Sequence, residues 1–230
     1  MPDDVAQYRF HRMISFPSLE NSTQLEEIEP TLEDMVFRAS RILLTHILQG
    51  ERSPPTSRAL QFQESVFIRK KYIPILINPY PDILPVFQYN QLFLSINDSL
   101  PTLKDIYDFI LPLFEVGKLQ AESLVVMLMF IERLTEDGQT ELRIINWRPI
   151  SIIATLLASK MLEDSGAGNL DLAYVHRSYS LNSINLLERT FLDMISWRLF
   201  IDLELYKKYY FALRQVDLHD LGRDSFEELI

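Results

Sequence analysis

The stretch Asn146-Trp147-Arg148-Pro149-Ile150-Ser151-Ile152-Ile153-Ala154-Thr155-Leu156-Leu157-Ala158-Ser159-Lys160 decides how the chain folds. Asparagine is a good helix cap and proline is tolerated in a first turn, so a helix is predicted to start near Asn146. Ile150, Ile153, Ala154, Leu156, Leu157 and Ala158 then follow with almost no charged face. A helix that is apolar nearly all round has to be covered on all sides, which places this one at the centre of a helical bundle. Lys160 ends the run and must bring its ammonium out of the core at one place.

The neighbouring segments supply the covering helices. On the N-terminal side, Thr102 and Asp105 form a capping box ahead of Leu103, Ile106, Ile110, Leu113 and Phe114, with Pro112 expected to kink or shorten the last turn. Residues 120–134 follow with Leu124, Leu128, Ile131 and Leu134 in helical register. On the C-terminal side, a short helix is predicted from Leu170 to His176 after Gly166-Ala167-Gly168. Another starts near Ser180 and turns Ile184, Leu187, Phe191, Met194 and Ile195 inward. A further helix runs from Asp202 through Tyr206, Tyr209 and Tyr210 toward Val216. Upstream, Thr31 and Asp34 cap a helix carrying Met35, Ala39, Ile42, Leu43, His46 and Ile47, with Gly50 as its stop.

Between these blocks, residues 51–101 hold seven of the twelve prolines among Phe62, Phe67, Tyr72, Tyr80, Phe87 and Tyr89. Proline removes backbone donors while aromatic rings seek burial, so an extended segment lying across the helical body is expected. Residues 1–30 show no sustained apolar period and read as a mobile arm. The expected organisation is therefore an arm over 1–30, a helix and packing segment over 31–101, a helical body over 102–214 and a tail over 215–230.

Composition agrees with an all-α fold. Of 230 residues, 47% are hydrophobic and 23% charged, enough to bury a core. Six glycines are few for the repeated tight turns of a barrel or sandwich. The absence of cysteine excludes disulfides, thiolate nucleophiles and zinc-cysteine sites, and points to an intracellular, cytoplasmic or nuclear, protein. A formal net charge of −10 disfavours nucleic acid and anionic lipid and favours a protein partner with a basic surface. No run approaches the ~20 apolar residues that cross a bilayer. Pro2 stands where N-myristoylation needs glycine, so no N-myristoyl anchor is expected.

Catalytic chemistry is not in evidence. His11, His46, His176 and His219 lie in unrelated segments without an i, i+4 partner, so no helical metal site is expected. No Gly-rich phosphate loop, GxSxG elbow or calcium-loop motif occurs. Carboxylate pairs such as Glu163-Asp164, or Glu132 with Asp137, fall beside helix ends, where solvated capping explains them. The expectation is a non-enzyme without catalytic residue, metal or cofactor.

Four strings carry a family resemblance. Lys118-Leu119-Gln120-Ala121-Glu122-Ser123-Leu124, running on to Phe130-Ile131-Glu132-Arg133-Leu134, resembles the first half of a cyclin box. Leu156-Leu157-Ala158-Ser159-Lys160-Met161-Leu162-Glu163-Asp164 resembles its third helix. Leu187-Glu188-Arg189-Thr190-Phe191-Leu192 resembles the fifth, and Lys207-Lys208-Tyr209-Tyr210-Phe211-Ala212-Leu213-Arg214 is similar to the segment after the box in Y-like cyclins. The likeness covers roughly residues 102–214, in order, with short connections. It implies a five-helix cyclin box with an additional N-terminal helix and a short C-terminal helical extension. It also implies the activating subunit of a cyclin-dependent kinase of the PCTAIRE/PFTAIRE-like class, a cell-cycle type of regulator. In that family a lysine of the third helix and a glutamate of the fifth bind the kinase near its C-helix, and the matching positions are Lys160 and Glu188. The plain alternative is an intramolecular pair that satisfies both ends, and a cyclin-fold scaffold without a kinase remains a second reading.

Two further points belong to the comparison. Thr102-Leu103-Lys104-Asp105-Ile106 stands where cell-cycle cyclins carry an MRAIL-like substrate-docking patch, so that recruitment is not expected. In the arm, Arg12, Ser15 and Pro17 have the spacing of a 14-3-3 recognition motif, and phosphate on Ser15 would add charge and acceptors for an arginine cluster. Ser53-Pro54 is a second, proline-directed candidate.

Overall fold

The protein is described here from a computed structural model over residues 30–68, 99–162, 168–176 and 178–216. Helix α1 (Leu32–Gly50) opens on Thr31, whose hydroxyl accepts from the Asp34 N–H while the Asp34 carboxylate accepts from the Thr31 N–H. Helix α2 (Leu103–Gly117) opens on the same reciprocal box between Thr102 and Asp105. Each box satisfies two of the orphan donors of a helix start, and this is why both boundaries were readable. Helix α3 (Ala121–Glu136), α4 (Trp147–Leu162), α5 (Asn169–Val175), α6 (Leu181–Met194) and α7 (Leu203–Arg214) complete the bundle. Ser180 caps α6 and Asp202 caps α7, each accepting backbone N–H groups of the first turn. Among the described residues these are the seven helices longer than one turn, and no strand occurs.

Helix α4 sits at the centre. From Trp147 to Ser159 every residue is buried except Arg148, which is half-buried. Helix α3 packs most extensively against it, and α2, α5 and α6 also touch it. Helix α1 lies on α2 and α3, and α7 closes the far side against α3 and α1. Met35, Leu43, Ile47, Ile106, Phe114, Phe130, Ile153 and Phe191 are fully buried in one continuous apolar cluster. An all-α body with a helix before the five-helix box and another after it is thus what the chain forms.

Several local expectations change. Helix α2 continues through Pro112 to Gly117, so its last turn is not shortened. It ends at Lys118, in the left-handed region at φ 51°. Gly50 is the last residue of α1 for a packing reason: a Cβ there would lie 2.1 Å from the Leu142 carbonyl oxygen. Its backbone has no positive φ, so the close approach of the 142 loop selects glycine, and not turn geometry. Asn146 does not serve α4 as a side-chain cap. Its Oδ1 accepts from the Arg143 N–H at 2.7 Å and its Nδ2 donates to the Glu141 and Ala59 carbonyls, so the side chain ties together the loops before the helix.

The segment expected to lie extended across the body is described up to Ile68. It contains two helical turns, Ser57–Leu60 and Glu64–Phe67, and one antiparallel bridge from Ile68 to Tyr179. Phe62 and Phe67 are buried as aromatic residues there were expected to be, and Phe62 meets Phe191 edge-on at 6.1 Å. Residues 69–98, most of the arm and most of the tail lie outside the described residues.

Candidate functional site

Helix α4 has charged groups at both ends, and they are built differently. At its entry, Arg148 is in the first turn, where the positive end of the helix dipole is unfavourable for a cation. The Glu64 carboxylate answers it: Arg148 Nη1 donates to Glu64 Oε2 at 3.0 Å and Tyr179 Oη donates to Glu64 Oε1 at 2.7 Å. The guanidinium also lies 4.5 Å from the Trp147 ring centroid. His176 stacks on Phe109 at 4.4 Å; burial, with Arg148 adding to it, pushes its imidazole down to about 4. One loop away, Arg143 Nη2 donates to Glu51 Oε2 at 3.0 Å, and Glu51 Oε1 accepts the Ile144 N–H at 2.9 Å. Arg143, Glu64, His176 and Tyr179 are buried and Arg148 is half-buried, while Glu51 reaches the surface; together they bind the 51–68 segment to the box.

The exit of α4 faces solvent. Lys160 is the first exposed residue after the buried run, and its Nζ lies 2.6 Å from Glu188 Oε1 on α6. The lysine side chain is 40% exposed and the glutamate 18%, so the pair is at the surface with its carboxylate partly sheltered. Glu188 Oε2 accepts from Asn169 Nδ2 of α5 at 2.7 Å, and the same amide donates to Asn185 Oδ1 at 2.7 Å. Met161 and Leu162 follow Lys160, Leu170 follows Asn169, and Leu181 lies one turn before Asn185 on α6; all four are exposed. The cation is in the last turn of its helix, where the dipole favours it.

The arrangement, a surface ion pair beside exposed apolar side chains, is suited to contact with another molecule. Among the described residues no group of three or more His, Asp or Glu is placed to hold a metal ion, and no helix is long and apolar enough to cross a membrane. Glu132 and Asp137 are not a working pair: Asp137 is bonded to Arg198, while Glu132 is buried with Oε2 lacking a hydrogen-bond partner. Burial, with Glu136 adding to it, pushes the Glu132 carboxyl up to about 9, so it stays protonated at neutral pH. Glu163-Asp164, Ser15, Arg12 and Pro17 lie outside the described residues. Sequence reasoning brought Lys160 and Glu188 forward but missed Asn169 and Asn185. Asn185 is three positions before Glu188 and so shares its face, a spacing open to reading. Asn169 carries no such signal, because only the fold brings α5 beside α6.

Residues 89–200 match the family model described as cyclin, N-terminal domain. The matched span takes in α2 to α6 whole, and the fold of the described residues is that of an all-α cyclin domain. Proteins of the cyclin family are in general regulatory and non-enzymatic, with a protein kinase as their general partner.

Proposed function

We propose that the chain is the activating subunit of a cyclin-dependent protein kinase, of the Y-like type, with Lys160 and Glu188 as its grip on the kinase C-helix region. The observation that carries the reading is the ion pair at the exit of α4, set at the surface beside exposed apolar residues within a cyclin N-terminal domain. A kinase becomes active when its strand lysine and C-helix glutamate pair, and a subunit that holds the C-helix inward selects that state without contributing an atom to phosphoryl transfer. A fixed cation and a fixed carboxylate, each with lone donors or acceptors left, suit the charges and backbone groups at such a helix. The kinase class favoured by the resemblance is PCTAIRE/PFTAIRE-like. Phosphorylated Ser15, with Arg12 and Pro17 around it, is proposed as a 14-3-3 site, to be checked by phosphopeptide mapping of the active complex.

Purification of the tagged chain from its source cells, with mass spectrometry of what accompanies it, tests the reading. A stoichiometric kinase is expected; an assembly without one would favour the scaffold reading. Losing one partner of an interfacial charge pair costs about 2 to 5 kcal/mol, so Lys160→Glu and Glu188→Ala are expected to lose the kinase while keeping wild-type circular dichroism. Undiminished capture by either variant, folded as wild type, would remove the site assignment.

A further inference from the structure

Glu188 is a long side chain at the edge of the buried face of α6, and left alone it would sample several rotamers. Its carboxylate is instead held from two sides by two other helices: Lys160 of α4 takes Oε1, and Asn169 of α5 takes Oε2. A side-chain amide has two N–H donors, and both of Asn169's are spent here, on Glu188 Oε2 and Asn185 Oδ1. The Glu188 carboxylate can only accept, so it fixes which way the Asn169 amide faces: turned over, the amide oxygen would meet Oε2. Its neutrality also matters. A cation at this position would compete with Lys160 for the carboxylate, and an apolar residue would leave Oε2 without a donor.

We infer that Asn169 is a positioning residue: it fixes the Glu188 carboxylate so that the Lys160–Glu188 pair meets its partner pre-formed. This rests on the kinase-binding reading of that pair. Asn169 acts through Glu188 and not by touching the kinase, which separates it from an ordinary contact residue. A grip whose carboxylate is ordered before encounter does not lose that side chain's freedom on binding.

The test uses the full chain and the kinase that co-purifies with it. Asn169→Leu is expected to weaken binding about 3- to 10-fold, the ordering cost of one rotamer-rich side chain, while melting within about 2 °C of wild type. In a Glu188→Ala background, titrated with kinase at concentrations high enough to measure that variant's residual affinity, the same substitution is expected to add nothing further, since the residue it orders is gone. Asn169→Asp places a carboxylate against Glu188 Oε2 and Asn185 Oδ1, within the reach of Lys160. Its binding is expected to be weak at pH 8 and to recover toward pH 5.5, where a proton shared by the two carboxylates restores the hydrogen bond. The Leu variant should lack that recovery. Full affinity of Asn169→Leu, or a loss that adds to that of Glu188→Ala, overturns the inference while leaving the grip intact. Undiminished binding of Lys160→Glu, or recovery of no kinase at all, removes the grip and this inference with it.

Discussion

The two ends of α4 use the same chemistry, a basic residue against a glutamate, in opposite surroundings. At the entry, Glu64 is shared by Arg148 and Tyr179, with side-chain exposures of 20% for the arginine and 10% for the glutamate. At the exit, Lys160 is 40% exposed and its carboxylate partner is held by an amide from a third helix. Arginine at the entry makes a hydrogen bond and lies over an aromatic ring, as suits a planar cation in a dry place, whereas lysine at the exit presents a hydrated point charge. The difference teaches that an ion pair's role follows from what surrounds it. A sheltered pair with a third buried partner binds a segment to the core. A surface pair beside exposed apolar side chains is available to another molecule.

The comparison can be broken by measuring stability at each end. Glu64→Ala should have the largest effect, since it strands a sheltered guanidinium and leaves the Tyr179 hydroxyl buried without its acceptor. A loss of about 3 kcal/mol or more is expected, seen as a fall in Tm of roughly 6 to 12 °C. Gly50→Ala comes next, because its methyl would run into the Leu142 carbonyl and push the Arg143–Glu51 loop away. About 1 to 3 kcal/mol should be lost in urea titrations.

A third effect depends on pH. His176 stays neutral in the fold down to about 4, while in the unfolded chain it protonates near 6.5. Its contribution to stability is therefore present above pH about 6.5 and is lost as pH falls toward 4. His176→Phe should flatten the wild-type fall in stability between pH 7 and 4.5 by on the order of 1 to 2 kcal/mol, read from urea midpoints at the two values. The smallest effect belongs to the exit. Lys160→Glu should cost less than about 1 kcal/mol of stability, because a surface pair contributes little. If it melted as far below wild type as Glu64→Ala, the exit pair would be structural and the contrast between the two ends would vanish.

Legibility differed along the chain for physical reasons. The helix starts at Thr31, Thr102, Ser180 and Asp202 were readable because capping is local: the side chain and the N–H it accepts from are within three residues of each other. The burial of α4 was readable from its own composition, since a helix apolar on every side has nowhere else to go. Asn146 was misread for the converse reason. Its residue type suits a cap, but the carbonyls of Glu141 and Ala59, the latter 87 residues away, claimed its amide. The proline-rich stretch was expected to be extended, yet its described part makes two helical turns, where Glu64 meets Arg148 and Tyr179.

By itself the sequence determined an all-helical body, the buried helix at its centre and the exit of one lysine from that helix, because each follows from local periodicity and from the cost of covering apolar surface. Only the tertiary structure decided which groups those charges meet. Glu64 is 84 residues from Arg148 and Asn169 is 19 from Glu188, and no local rule spans such distances. Hydrogen bonds act over about 3 Å, so their partners exist only once packing has brought the helices together.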